Sequence, residues 1–162
     1  MTDLRLRAPL HHVSPRARWY WATRALLGWV IIFAIETIVW LATPESTAGH
    51  VYIASATFAI ALTHLLVMPQ WRFRVHRWET TQSAVYTQSG WFTQERRIAP
   101  VNRIQTVDTH RGPFEQLFGL ANITVTTASA AGPLRINGLE LATAEALVED
   151  LTVRTQSGGD GT

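Results

Sequence analysis

ALLGWVIIFAIETIVWLA (Ala25–Ala42) and VYIASATFAIALTHLLVM (Val51–Met68) decide the architecture of this 162-residue chain. At a rise of about 1.5 Å per residue, each eighteen-residue run covers roughly 27 Å, close to the ~30 Å hydrocarbon core of a bilayer. Backbone groups in lipid must be satisfied within their own segment, so the runs are expected to be helices. A hairpin on a soluble protein would need a polar face, and neither run shows one. A cleaved signal peptide would not be followed at once by a second span.

Orientation is read from arginine. Arg5, Arg7, Arg16, Arg18 and Arg24 precede the first run, and Arg72, Arg74 and Arg77 follow the second. The connecting loop Thr43–His50 has no Lys or Arg and carries Glu45. The positive-inside rule then predicts a multi-pass protein of the cell membrane with both termini cytoplasmic. Trp19, Tyr20, Trp21 and Trp71 mark the expected inner rim, with Trp40 and Tyr52 near the outer one.

Apolar residues make up 47% of the chain, yet mean hydropathy is only +0.05, so a polar part must dilute the spans. All 14 basic residues are arginine, which leaves a net charge of +2 but a pI near 9.7. The absence of cysteine excludes disulfides, thiol catalysis and cysteine-held zinc or iron–sulfur sites. The chain divides into a basic, flexible arm (1–24), a two-helix transmembrane hairpin (25–68), a cytoplasmic domain (71–154) and a disordered tail (155–162). The tail is rich in Gly, Ser and Thr.

Within the domain, Trp71, Phe73 and Val75 alternate with Arg72, Arg74 and His76, the period of a half-buried strand. Ala84–Gln88 and Trp91–Ile98 read as strands joined through Ser89-Gly90, where glycine can take the positive φ of a hairpin. Arg103–Thr109 is a further strand by its β-branched content. Ile123, Val125 and Thr127 share a face of another, and Leu134 and Ile136 a face of the next, after a turn at Ala131-Gly132-Pro133. Gly112-Pro113 opens a short helix with Phe114, Leu117 and Phe118 on one side and Gly119 closing it. Ala144, Leu147, Val148 and Leu151 form the apolar stripe of a terminal helix, with Thr143 as its expected cap.

The run RIQTVDTHRGPFEQLFGLANITVTT, followed by LRINGL and AEALVEDL, resembles the bacterial membrane-anchored PH-like domain family of the YdbS type. The resemblance covers roughly Arg72–Leu151. Arg103–Leu120 is its most specific part, and Gly112, Pro113, Leu117 and Gly119 are its structural motif residues. It departs from the usual pattern at Thr80–Ser83, which is uncharged. The resemblance implies a membrane α-helical hairpin plus an α+β PH-like domain, a strand-built split barrel with a C-terminal helix. It carries over no catalytic residue. It also implies a place in an envelope-stress or export-related assembly.

Glu36 is an ionisable residue inside the first span, which marks a functional position by default. His64 is the obvious partner, but it lies about 10 Å deeper by residue count. Ser55 and Thr57 match the depth of Glu36 and are better placed to hydrogen-bond to it. A protonated Glu36 holding the hairpin or an oligomer together is favoured over an ion pathway. The six histidines form no ligand motif, and neither a Gly-rich phosphate loop nor a metalloprotease signature occurs. Asp108, His110 and Ser129 lack the setting of a hydrolase triad.

These readings predict a non-enzymatic binding or scaffolding module at the membrane surface, with no cofactor, metal or small-molecule substrate. Arg72, Arg74, Arg77, Arg96, Arg97 and Arg103 are the candidate contacts for anionic headgroups or a partner, since guanidinium pairs with phosphate in a bidentate way. The expected partners are membrane lipids and a membrane protein or a second copy of the chain. Interleaved Glu79, Glu95, Asp108 and Glu115 argue against nucleic acid. A small oligomeric transport or channel subunit using Glu36 is the alternative.

Overall fold

Two long helices lead the structure, a computed structural model that describes residues 8–90, 93–130 and 132–159, with side chains as far as 156. A two-residue strand, β1 (His11–His12), precedes α1 (Arg16–Ala42), and a 3-10 turn at Pro44–Ser46 leads into α2 (Thr47–Val75). Both helices are long and apolar enough to cross a membrane. Their large apolar side chains, from Leu26 to Leu41 and from Val51 to Val67, point outward as a lipid-facing surface would require.

α2 overruns its apolar span. Trp71–Val75, expected as a strand, is its last turn, and the first strand after it is β2 (Arg77–Thr80). Met68, Arg72, Val75 and His76 fall at i, i+4, i+7 and i+8, so the helical period also fits here, and the six residues from Trp71 to His76 could not separate the two patterns. Pro69 lies inside the helix without ending it. At the other end, α1 starts nine residues before its apolar span, and His11 and His12 pair with Trp78 and Arg77. The segment 11–24 is therefore strand and helix rather than a flexible arm. Arg5 and Arg7 lie outside the described residues.

The domain is two antiparallel sheets with a helix across them. One sheet has the order β1-β2-β3-β4, with β3 at Ala84–Ser89 and β4 at Glu95–Pro100. The other is β5 (Ile104–His110), β6 (Leu120–Thr127) and β7 (Leu134–Glu140), with α3 (Pro113–Leu117) between β5 and β6. Trp91, at the start of one expected strand, and Ala131, in one expected turn, lie outside the described residues. The core lies between the sheets, where Val85 and Ala99 meet Ile123, Val125, Leu134 and Ile136. Ala144, Leu147 and Leu151 of α4 (Leu141–Gly159) close it.

α4 begins directly after β7, so Thr143 lies inside it and caps nothing. It also continues through 155–159, where composition predicted disorder. Thr152 and Thr155 bond back to carbonyls one turn earlier, and Arg154 pairs with Asp150 at 2.8 Å. Arg154 also donates to the Thr81 carbonyl (2.8 Å), which ties this helix end to the sheet.

A second cluster joins helices and domain. Val13, Ala17, Tyr20, Trp21 and Met68 bury against Leu120, with Phe73, Trp78 and Phe118 around them. Tyr20 and Trp21 thus belong to this junction, while Trp19 and Trp71 stay exposed. Gly138, at φ +78°, lets β7 pass so close to α1 that a Cβ there would lie 3.0 Å from that of Ala17. Ser14 N–H donates to the Gly138 carbonyl at 2.9 Å and holds the approach.

Candidate functional site

At the junction, where α1 and α2 leave their apolar spans, the domain contributes α3 and the Asn122 and Asn137 side chains. The β6–β7 register shifts between Ala121 and Ile123, and Asn122 sits at that shift. Its Oδ1 accepts from Gly138 N–H (2.9 Å), and its Nδ2 donates to Glu115 Oε1 (3.2 Å). Tyr20 Oη also donates to Glu115 Oε1 (2.7 Å) and accepts from Arg24 Nη1 (2.9 Å). Burial alone would raise the Glu115 pKa. The bonds from Tyr20, its own backbone N–H and Asn122, with the Arg24 charge, outweigh burial and hold it below the usual carboxylate value.

Across this network, the Arg72 guanidinium stacks over Trp21 at 4.6 Å from the ring centroid. Among the described residues Arg72 has no carboxylate at ion-pair distance. Its carbonyl meets His76 Nδ1 at 2.8 Å, and the His76 ring packs on Trp21 at 5.1 Å. Burial pushes the His76 pKa down to about 4, aided by the Arg72 charge and opposed by that backbone bond. Between the helices and the domain lies a cavity of about 450 Å³ that Arg24 and Arg72 both face, together with Tyr20, His64, Glu115, Asn122 and Asn137.

The six candidate arginines do not form one site. Arg77, Gln88 and Arg96 stand opposite one another across β2, β3 and β4, with His12 beyond Arg77, so these four share the outer face of the sheet. Gln88 links the row by accepting from Arg96 Nε (3.0 Å) and donating to the Val75 carbonyl (3.2 Å), which fixes it at the α2 end of the sheet. Arg74 is exposed one turn away, and its carbonyl accepts from Arg77 Nε (3.4 Å). Arg97 is spent on structure: it donates to the Pro133 carbonyl (2.5 Å) and pairs with Glu95 (3.2 Å). Arg103 is exposed on the 3-10 turn Val101–Arg103.

Sequence reasoning missed Arg18, Arg24 and His12 as site residues because they were read as topology signals or as a loose arm. Arg18 lies 4.8 Å over Phe73, on which His12 stacks at 5.2 Å. The i,i+4 spacing of Tyr20 and Arg24 at the edge of an apolar run was the available signal. In the family motif, Pro113 opens α3 and Gly119 takes φ +66°, while Leu117 is 77% exposed.

Inside the spans, Thr57 donates to Glu36 Oε1 (2.5 Å), whereas Ser55 bonds its own helix at Val51 (2.7 Å). His64 accepts from Trp29 Nε1 (3.1 Å) and is not joined to Glu36. Glu36 Oε2 is buried without a hydrogen-bond partner. Asp108 accepts from Thr106 (3.0 Å) rather than from His110. Among the described residues no cluster of three His, Asp or Glu side chains could hold a metal.

A helical hairpin fused through a shared core to two packed sheets and a closing helix defines a membrane-associated protein with a PH-like domain. Residues 22–155 match the family model of the bacterial PH domain, and the chain belongs to that family. The match includes the hairpin as well as the sheets. The chain is also 30% identical over 92 residues to the UPF0699 transmembrane protein YdbS of Bacillus subtilis (strain 168). That stretch is 57% of this chain and 57% of the relative, so only about half of the relative's length is matched. No solved structure matches the chain.

Proposed function

We propose that the protein is a non-enzymatic binding module held at the cytoplasmic surface of the cell membrane, where its PH-like domain engages anionic lipid headgroups. The observation that carries this reading is the junction core. It fixes the domain against the very helix ends at which the apolar spans stop, so the basic sheet row cannot drift away from the surface. By residue count, Arg77 follows the second span by nine residues, roughly 13 Å of helix and turn, which puts its backbone just outside the headgroup layer and its guanidinium within side-chain reach of it. Each arginine near an anionic surface contributes about 1 kcal/mol. Exposed Leu117 and Phe114 on α3, tied to Tyr20 and Arg24 through Glu115, support an apolar contact at the same level.

The test is lipid selectivity of the full-length protein in bilayers, measured with spin-labelled phosphatidylglycerol and phosphatidylcholine. Wild type should immobilise the anionic lipid several-fold in preference, and Arg74→Gln/Arg77→Gln/Arg96→Gln should reduce that preference. Equal immobilisation of both lipids by wild type contradicts the reading. A second reading, an oligomeric transport or channel subunit, is favoured by one observation, the unpartnered Oε2 of Glu36.

A further inference from the structure

We propose that the junction cavity is a binding site for a single anionic phospholipid, with the headgroup phosphate on Arg24 and Arg72 and an acyl chain along α2. This deepens the membrane-surface reading and rests on it, but it names a site distinct from the sheet row.

Three features specify the ligand. The first is charge. Arg24 and Arg72 face one cavity. Glu115 is already engaged by Tyr20 and Asn122 and offsets only one of the two cations. An arginine held half-buried on Trp21 without a carboxylate at ion-pair distance presents its guanidinium edge to an anion, and phosphate fits that fork.

The second feature is size and polarity. About 450 Å³ lined by Tyr20, Glu115, Asn122 and Asn137 beside the two arginines suits a headgroup whose hydroxyls can donate to the carboxylate, within the range of ordinary ligand cavities. The third is the neighbouring apolar groove. A second cavity of about 420 Å³ runs along α2 past Ile60, Thr63 and Val67 and shares His64 and Met68 with the first. Polar and apolar compartments that share two lining residues, at one end of a membrane span, match an amphiphile rather than a soluble anion. Trp29 holds His64 at that meeting point through its Nδ1.

The experiment is native mass spectrometry of delipidated full-length protein with added phosphatidylglycerol, phosphatidylcholine or inorganic phosphate. Wild type should retain one phosphatidylglycerol per chain and at least tenfold less phosphatidylcholine. Arg72→Gln should weaken retention at least tenfold. Arg24→Gln, which leaves the Arg72–Trp21 stack in place, should do the same and carries the test if Arg72→Gln fails to fold. Arg77→Gln/Arg96→Gln should retain the lipid.

Loss in the sheet-row variant alone overturns the cavity site while leaving the membrane-surface reading intact. Inorganic phosphate binding as tightly as the lipid overturns the phospholipid assignment in favour of a free-anion site. No retained lipid in wild type overturns the site, and the spin-label selectivity then reports separately on the broader reading.

Discussion

Gly138→Ala tests whether the domain is packed on α1 or merely tethered to it. Gly138 has φ +78°, and an added Cβ would lie 3.0 Å from Ala17 Cβ and 3.7 Å from the Trp21 ring. The strand cannot retreat without losing the 2.9 Å bond from Ser14 N–H to the Gly138 carbonyl. A left-handed backbone costs an L-residue about 1–2 kcal/mol. Overpacking against a buried helix face adds about 1–3 kcal/mol, so the change should cost about 2–5 kcal/mol in all. Ala17→Gly alone should cost about 1 kcal/mol through helix propensity. Combined with Gly138→Ala it removes the methyl that clashes. The double variant should therefore be more stable than the summed costs predict, by about 1–3 kcal/mol. Guanidinium unfolding of full-length protein in micelles, followed by tryptophan fluorescence, gives all three values. A near-neutral Gly138→Ala, or strict additivity in the double variant, refutes the packing argument.

Acid should weaken the junction through His76. Its pKa falls from 6.5 to about 4 on folding, so the unfolded chain binds the extra proton. The stabilisation is complete above pH 6.5 and declines as pH falls toward 4, by about 3 kcal/mol in total. Melting curves across that range should show the slope, and His76→Gln should flatten it; an unchanged slope contradicts the assignment. Within the spans, Glu36→Leu should loosen the helix pair by about 1 kcal/mol, while Glu36→Gln, which still accepts from Thr57, should leave it near wild type. Liposomes bearing wild type should leak ions no faster than empty ones. A wild-type conductance abolished by Glu36→Gln would instead favour the transport reading.

Much of the fold was legible because two periods were strong. The apolar runs fixed the hairpin, and the stripe Ala144, Leu147, Leu151 fixed the closing helix. Depth counting alone favoured Thr57 over His64 beside Glu36, because rise per residue is nearly constant. The errors cluster where span meets domain. Trp71–Val75 fits both a strand and a helix period, and only the contacts of Met68, Phe73 and His76 with the junction decide between them. Tyr20 and Trp21 read as lipid anchors because sequence does not show that β7 bears a glycine opposite Ala17. The candidate arginines were chosen for adjacency in the chain. Strand register instead groups Arg77 with Arg96 and His12, turns Arg97 to Pro133, and leaves Arg24 with Arg72 across a cavity that no local pattern announces.

The central claim is that the PH-like domain is seated on the membrane surface. The chain has no cysteine, so single nitroxide labels can be introduced at will. Leu117→Cys on α3 should report a label at headgroup depth by power saturation, shielded from a water-soluble relaxant. Thr152→Cys, on α4 beside the Thr81 end of the sheet, should report bulk water. Equal aqueous exposure at both positions would contradict the account.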